Sequence, residues 1–493
     1  MTVRPIRFLH RNEIVEVADA ATTRSVLDWL REEAHCTGTK EGCNEGDCGA
    51  CTVVVGELGD NGRLALKTVN SCIQFLPVLD GKALFTVEDV QTADGLHPVQ
   101  QAMVECHGSQ CGFCTPGFVM SMWSLYQRCE TSPLRQQLAD ELSGNLCRCT
   151  GYRPILDAAQ RMFELPRVDF DPAPAVAALR TLRDEATFSY ERGGAHFHAP
   201  RTVDDFAALL DANPGAHILA GSTDVGLWVT KQFRELPVLV SIGEVSDLKR
   251  IDTAADGTLT IGAGASLEAA WQALAARVPA LTDVYLRFAA PPIRNAGTMG
   301  GNVANGSPIG DSAPILLALD ASLVLRKGSR ERTMPLADFY VDYMKNRLEP
   351  GEFVQAIVVP PLPAARQVRA WKISKRFDCD ISALCAGFAI ELDGEIVKAA
   401  RLAYGGMAGI VKRATGAEAA IVGQRWDEAA VQRAQAALAT DFKPLTDMRA
   451  SAEYRAQVAQ NLLERLWLET RPASALPATQ TTVWSTMTHT VGA

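Results

Sequence analysis

Eight of the thirteen cysteines in this 493-residue chain fall into two tight quartets. Cys43, Cys48 and Cys51 form a C-x4-C-x2-C loop, with Cys72 as a distant fourth thiol. Cys111 and Cys114 form a C-x2-C turn, completed by Cys147 and Cys149. Four thiolates are soft donors, suited to an iron–sulfur cluster or to zinc. The first spacing is that of plant-type ferredoxins, whereas zinc sites usually offer two separated C-x2-C pairs. Gly42, Gly46 and Gly49 separate these thiols and let the backbone aim N–H groups inward, as an anionic cluster requires. The second spacing alone suits zinc and a cluster equally. Beside the first quartet the cluster reading prevails, and two clusters in one chain form a path for single electrons.

Two further stretches could do chemistry. An apolar strand at His217–Ala220 runs into Gly221-Ser-Thr-Asp-Val-Gly226, and downstream lies Arg294-Asn-Ala-Gly-Thr-Met-Gly-Gly-Asn-Val-Ala-Asn-Gly-Ser-Pro-Ile-Gly-Asp311. Both are polar, glycine-rich turns that can gather backbone N–H groups and the hydroxyls of Ser222, Thr223 and Thr298 around a diphosphate. Either alone reads equally as an ordinary loop. One-electron clusters need a partner that accepts electrons singly and releases pairs, and flavin does this. No Rossmann fingerprint is present. Ile261-Gly-Ala-Gly-Ala-Ser-Leu267 mimics its first half, but Leu267 stands at the third glycine, so a strand-to-helix turn is expected. There is no nucleophile–base constellation. His196 and His198 read as a strand with outward imidazoles, and Cys36, Cys106, Cys129, Cys379 and Cys385 as small buried apolar residues.

The elements that must position these groups follow from periodicity. Residues 4–17 alternate as a β-hairpin with its turn at His10–Glu13, and Thr22-Thr23 precede a helix with Val26, Leu27 and Leu30 on one face. Helices are predicted over Gln100–Glu105, Phe118–Gln127, Leu134–Leu142 and Ile155–Phe163. Cys111–Gly117 opens the second of these, at a helix N-terminus that favours thiolate. Asn145–Tyr152 brings the other pair from the start of the last. Residues 165–185 mix Pro, Ala and charge with no sustained apolar face and read as an interdomain strap. Beyond it come a helix at Val203–Leu210, strands at Gly387–Leu392 and Ala399–Tyr404, and helices near 416–421 and 427–439.

Length allows roughly three domains. Apolar content of 47% with 21% charged residues is that of a soluble globular chain. A net charge of −9 argues against nucleic-acid or anionic-membrane surfaces. The opening MTVRPIRFLHRNEIVEV lacks an apolar signal core, and no run approaches the ~20 apolar residues of a membrane span. Thiols without a secretion signal point to metal-holding thiolates in a cytoplasmic protein.

The segments EGCNEGDCGAC, GSQCGFCTPGFVMSMWSL and GNLCRCTGYRPIL resemble the iron–sulfur half of the molybdenum hydroxylases. These motifs are shared by xanthine, aldehyde, carbon monoxide and nicotinate enzymes. Fusion to a flavin domain in this order is similar to the small subunit of the bacterial xanthine dehydrogenase branch. The resemblance covers nearly the whole chain, apart from residues near 165–193 and beyond about 475. It implies a multidomain α+β fold: a β-grasp ferredoxin-like domain (1–90), a helical-bundle [2Fe-2S] domain (91–165), a linker (166–193), an FAD-binding α+β domain related to vanillyl-alcohol oxidase (194–370), a small α+β flavoprotein domain (371–475) and a tail (476–493).

It further implies that Cys43, Cys48, Cys51 and Cys72 hold one [2Fe-2S] cluster, and Cys111, Cys114, Cys147 and Cys149 the other. FAD contacts map to Ile218, Leu219, Ala220, Gly221, Ser222, Thr223, Asp224 and Val225, and to Thr298, Met299, Gly300, Gly301 and Asn302. Phe288 matches an aromatic residue beside the isoalloxazine ring, Asp311 and Lys372 match polar contacts, and Val354 an apolar one. From the residues alone, Phe288 reads as core packing and Lys372 as a solvated strand residue. Lys375–Asp380 matches a loop near the flavin that affects NAD access, and alone reads equally as a charged surface turn. Gln110 matches a residue that hydrogen-bonds the pterin, or else simply caps a helix. The family reaction, oxidation of hypoxanthine or xanthine to urate, belongs to a molybdopterin centre for which this chain has no room. A separate large subunit is implied, in a heterotetramer of two small and two large subunits, with electrons passing through the helical-domain cluster, the N-terminal cluster and FAD to NAD. No residue of this chain is implied as an acid–base catalyst. Another molybdenum hydroxylase, a general electron-transfer module and a zinc-stapled scaffold stay open, as does oxygen in place of NAD.

Overall fold

The computed structural model describes residues 2–59, 61–92 and 95–482, so the expected tail lies outside the described residues beyond 482. The chain divides into two units. One comprises residues 1–247 with 266–268 and 290–298, the other 248–265, 269–289 and 299–493, so the division runs through the expected flavin domain.

In the first unit, strands Ile6–His10 and Glu13–Val17 form the expected hairpin, with Arg11 and Asn12 both at positive φ in its turn. They join Ala83–Phe85, Thr52–Leu58 and Leu64–Asn70 in a mixed five-stranded sheet. This sheet is buried on both faces, which is why Val53-Val54-Val55 runs apolar without alternation. Phe8, Val53 and Leu84 enter one core, shared with Phe188, Phe197, Leu219 and Leu239 of a second sheet. Leu9, Val54 and Phe85 enter another, shared with the helical bundle. Full burial of such side chains contributes about 1.5–3 kcal/mol each. The second sheet orders Thr2–Val3, Phe188–Arg192, Ala195–Ala199, Val238–Ser241 and His217–Leu219.

The bundle helices are Pro98–Glu105, Thr115–Arg128, Arg135–Glu141 and Arg153–Arg161, close to expectation. The expected strap is different. Ala173–Leu182 is a helix that buries Ala175, Leu179 and Leu182 in the bundle core. These positions, four and three apart, form a stripe that alanines made faint in the sequence.

In the second unit, Leu259–Gly262 and Phe353–Val359 lie in a five-stranded sheet with Ile251–Thr253, Ser322–Lys327 and Arg330–Pro335. The Ile261–Leu267 stretch is the expected strand-to-helix turn. Its glycines serve close packing, since a Cβ on Gly262 would lie 2.3 Å from the Leu248 carbonyl oxygen. Arg366–Ile373, Leu384–Asp393 and Ile396–Gly405 form a second sheet, covered by helices Thr415–Ile421, Glu428–Asp441 and Ala452–Thr470 around a core of Phe388, Tyr404 and Leu463. Among the described residues no helix is long and apolar enough to cross a membrane.

Candidate cofactor sites

The N-terminal quartet is brought together in a loop that the glycines shape. Gly46 and Gly49 take φ of 78° and 70°, and a Cβ on Gly42 would meet the Cys48 Sγ at 2.7 Å. Backbone N–H groups aim at the sulfurs: Asp47 and Cys48 donate to Cys43 Sγ at 3.4 and 3.3 Å, and Cys43 donates to Cys48 Sγ at 3.3 Å. Cys51 and Cys72, buried on neighbouring strand ends, lie 3.2 Å apart sulfur to sulfur, and Asn70 Nδ2 donates to Cys51 Sγ. Hydrogen bonding with Cys48 and Cys72 holds the Cys43 thiol below its ordinary range, and bonding with Cys72 does the same for Cys51. The same bonds push Cys48 and Cys72 up. Four thiols so closely connected would release their protons to solvent as a metal bound them.

The second quartet stands more open. Cys114 precedes helix Thr115–Arg128, and Cys147 and Cys149 precede helix Arg153–Arg161. Cys111 and Cys149 are exposed, 3.7 Å apart. Burial, then bonding to Cys147, pushes Cys114 up to about 12. Burial would raise Cys147 too, but bonds from the Thr150 hydroxyl and nearby backbone N–H groups outweigh it and leave the thiol low. Four thiols gathered in this way suit a [2Fe-2S] cluster, which takes two thiolates per iron, as well as a single tetrahedral zinc ion.

The two quartets interlock. Leu146 N–H donates to the Cys48 carbonyl at 2.9 Å. Asn145, buried beside it, donates through Nδ2 to the Gly49 carbonyl at 3.0 Å and to Thr52 Oγ1 at 3.1 Å, and its Oδ1 accepts from Ser121 at 2.6 Å. Only glycine fits at the contact: a Cβ on Gly49 would lie 2.1 Å from the Gly144 carbonyl, and one on Gly117 2.2 Å from the Gly49 carbonyl. Sequence reading did not single out Asn145, although its place two residues before Cys147 was the available signal.

The first flavin turn, also in the first unit, follows strand His217–Leu219. Gly221 packs so closely on 296–297 that a Cβ would sit 1.8 Å from the Ala296 carbonyl. Ser222 has φ of 61°, and its buried Oγ has no hydrogen-bond partner among the described residues. A strained serine with an unsatisfied hydroxyl suits an anionic ligand the chain itself does not supply. Ile218 is exposed, Leu219 buried, and Asp224 and Val225 lead into helix Val225–Thr230. Thr298 closes a bridge to Ser266.

In the second unit, Met299 opens helix Met299–Asn305, which carries Gly300, Gly301 and Asn302. The N–H groups of Met299 and Gly300 are already bonded to the carbonyls of Ala265 and Ala263. Backbone N–H groups for a phosphate would therefore come from other residues of this stretch. Lys372, read alone as a solvated strand residue, is buried and bonds Asp311 Oδ2 at 2.7 Å and Ser382 Oγ at 2.8 Å, while Ser382 donates to Asp311 Oδ1 at 2.6 Å. Phe288 packs against Trp271 at 5.5 Å, and Val354 is buried in strand Phe353–Val359. Lys375–Asp380 is a half-exposed turn held by Arg287, which bonds the Phe377 carbonyl and Ser374 Oγ. Of the five other cysteines, Cys36 and Cys385 are buried as expected; Cys106, Cys129 and Cys379 are half-buried, because they sit at a helix end, after a helix and in a surface turn.

Comparison with known proteins matches residues 86–160 to a [2Fe-2S] binding domain, 188–362 to the FAD binding domain in molybdopterin dehydrogenase, and 369–470 to the CO dehydrogenase flavoprotein C-terminal domain. The chain is 31% identical over 470 residues to xanthine dehydrogenase of Calliphora vicina and 30% over 487 residues to that of Oryza sativa subsp. japonica, in each case over 83% of this chain and 35% of the relative. It thus spans about a third of the length of the curated relatives it matches. A carbon monoxide dehydrogenase chain from Hydrogenophaga pseudoflava superposes with a TM-score of 0.52 at 28% identity, over 55% of this chain and 94% of that one. Quinoline 2-oxidoreductase from Pseudomonas putida 86 shares the fold, with a TM-score of 0.51 at 24% identity over 56% of this chain and 97% of that one. These three domains in this order fit a small iron–sulfur and flavin subunit of a molybdenum hydroxylase.

Proposed function

We propose that the chain is the electron-transfer subunit of a xanthine dehydrogenase, taking electrons from a molybdopterin centre on a large partner subunit and delivering them to NAD. In this reading Cys111, Cys114, Cys147 and Cys149 hold one [2Fe-2S] cluster and Cys43, Cys48, Cys51 and Cys72 the other. FAD is held by 218–225, 298–302, Phe288, Asp311, Val354 and Lys372. Bound there, the clusters carry single electrons and the flavin collects them in pairs. The chain's own part is to fix and insulate. Asp47 and Cys48 N–H groups neutralise thiolate charge, Asn145 locks one quartet against the other, and the Ser222 hydroxyl waits for a phosphate oxygen.

The observation that carries the relay is the hydrogen bond from Leu146, next to Cys147, to the carbonyl of Cys48, which links the two thiol sets, and the likeness to xanthine dehydrogenases supports the choice of substrate. The test is co-expression with the molybdenum-binding subunit, followed by anaerobic turnover of hypoxanthine with NAD supplied or withheld. Urate formation tied to NAD reduction, with about four irons and one FAD per chain, is expected; bound zinc in place of iron would sink the reading. Carbon monoxide or an N-heterocycle as the better substrate would favour another molybdenum hydroxylase, a reading that the C-terminal match to a CO dehydrogenase flavoprotein keeps in view.

A further inference from the structure

The flavin turn and the N-terminal quartet are not merely neighbours in the first unit; the turn is fastened to the loop that carries the thiols. Gln74, two residues past Cys72 and almost fully buried, donates from Nε2 to the Gly221 carbonyl at 2.9 Å. Its own backbone is pinned, since the Gln74 carbonyl accepts from Val26 N–H at 2.8 Å. The helix leaving the turn lies on the same loop. Gly226 approaches so closely that a Cβ would meet the Ile73 carbonyl oxygen at 2.7 Å. Thr230 Oγ1 donates to the Asn44 carbonyl at 2.9 Å, and Lys231 Nζ to the Cys43 carbonyl. Both arms of the quartet, 43–44 and 72–74, are therefore gripped by residues 221–231.

Gln74 is the member of this set that touches the turn itself. In a trans peptide the C=O and N–H point in opposite directions. With the Gly221 carbonyl bonded to Gln74, the Ser222 N–H of the same peptide is turned away from the cysteine loop. The peptide is hemmed in, because Gly221 lies tight against the Ala296 carbonyl and Ser222 sits at positive φ. A fixed amide beside an unsatisfied hydroxyl binds an anion without a reorganisation cost.

We infer that Gln74 is a positioning residue that couples the flavin site to the N-terminal cluster, presetting the Gly221–Ser222 peptide for the FAD diphosphate and transmitting flavin occupancy to the Cys72 arm. The inference rests on the proposed cofactor set. Coupling of this kind is reciprocal: if FAD binding shifts the cluster's reduction equilibrium, cluster reduction shifts FAD affinity by the same factor.

The test uses the full chain in its complex. Gln74→Leu removes the donor, and Gln74→Glu sets a carboxylate against the Gly221 carbonyl. FAD affinity is read by flavin fluorescence on re-adding FAD to the FAD-stripped protein. The midpoint potentials of both clusters are read by EPR redox titration, with and without FAD. Both variants should keep the wild-type iron content. FAD binding should weaken about five- to tenfold in Gln74→Leu and further in Gln74→Glu, the scale of one buried hydrogen bond lost or reversed. Removing FAD should shift the N-terminal cluster's potential in the wild type and not in Gln74→Leu, while the helical-domain cluster stays put in both. Thr230→Val, which removes a bond from the same helix away from the turn, should change FAD affinity less than twofold and separates a local effect from general loosening. FAD binding in Gln74→Leu within twofold of wild type, or an equal FAD-dependent potential shift in both proteins, overturns the coupling alone. A wild type without two [2Fe-2S] signals overturns the cofactor reading and the coupling with it.

Discussion

The two quartets offer the same ligand set, four thiols, at different depths in the protein. At the N-terminal quartet Cys51 and Cys72 are 1% exposed and Cys43 and Cys48 half-buried, with Asn145 and Gly117 packed against the loop at Gly49. At the bundle quartet Cys111 and Cys149 face outward and only Cys147 is buried. A more enclosed cluster is better shielded from water and oxidants, whereas one with two exposed ligands can approach another redox centre. The difference suits a chain in which one site meets the outside and the other hands charge inward.

The contrast can be broken most severely at Cys72. Cys72→Ser should cost the N-terminal cluster, taking iron from about four to about two per chain, and lower the thermal midpoint by roughly 10 °C or more, because metal binding and folding are linked. Iron analysis and a melting curve check this. A milder break follows from exposure. Chelator with a mild oxidant should strip the bundle quartet first, so that the EPR signal surviving at half iron content is the one absent from Cys72→Ser. Loss of both signals together would erase the distinction. Third, Asn145→Asp leaves a carboxylate oxygen facing the Gly49 carbonyl, since the Thr52 hydroxyl already donates to that carbonyl at 2.7 Å. A loss of about 2–4 kcal/mol is expected, against about 1 kcal/mol for Ser121→Ala, read by denaturant titration alongside the dipolar coupling between the clusters.

The smallest effect is one of pH, and it falls on the bundle side. Burial, assisted by the Arg167 charge, holds His97 down to about 4, below the ordinary value of 6.5. Its ring caps helix Pro98–Glu105 by accepting from Val99 N–H. The unfolded chain binds this proton more readily than the folded one. The contribution is complete above about pH 6.5 and is lost as pH falls toward 4, by about 1–3 kcal/mol. His97→Asn keeps a capping acceptor without the titration and should flatten the acid limb of the stability profile.

The gathering of the eight cysteines into two groups was legible because their spacing, within short segments, is one that metal chemistry requires. The partners that lock them together were not, because Asn145 with Gly49, and Gln74 with Gly221, are 96 and 147 residues apart and carry no periodic signal. Helices such as Thr115–Arg128 were visible in their apolar repeats, whereas Ala173–Leu182 hid its stripe behind alanines and prolines. Lys372 could not be told from a surface lysine until Asp311 and Ser382 were seen around it.

That overlooked helix has a further consequence. Ala175, Leu179 and Leu182 join a core that also holds Trp123 of the bundle and Val54 of the first sheet. A segment with the composition of a tether is thus a rivet, and it packs the two cysteine-bearing modules around one core. In the proposed relay, charge crosses between them by tunnelling over a constant gap, without the shuttling arm that some carriers use, so thickening the solvent with glycerol should leave the internal transfer rate untouched.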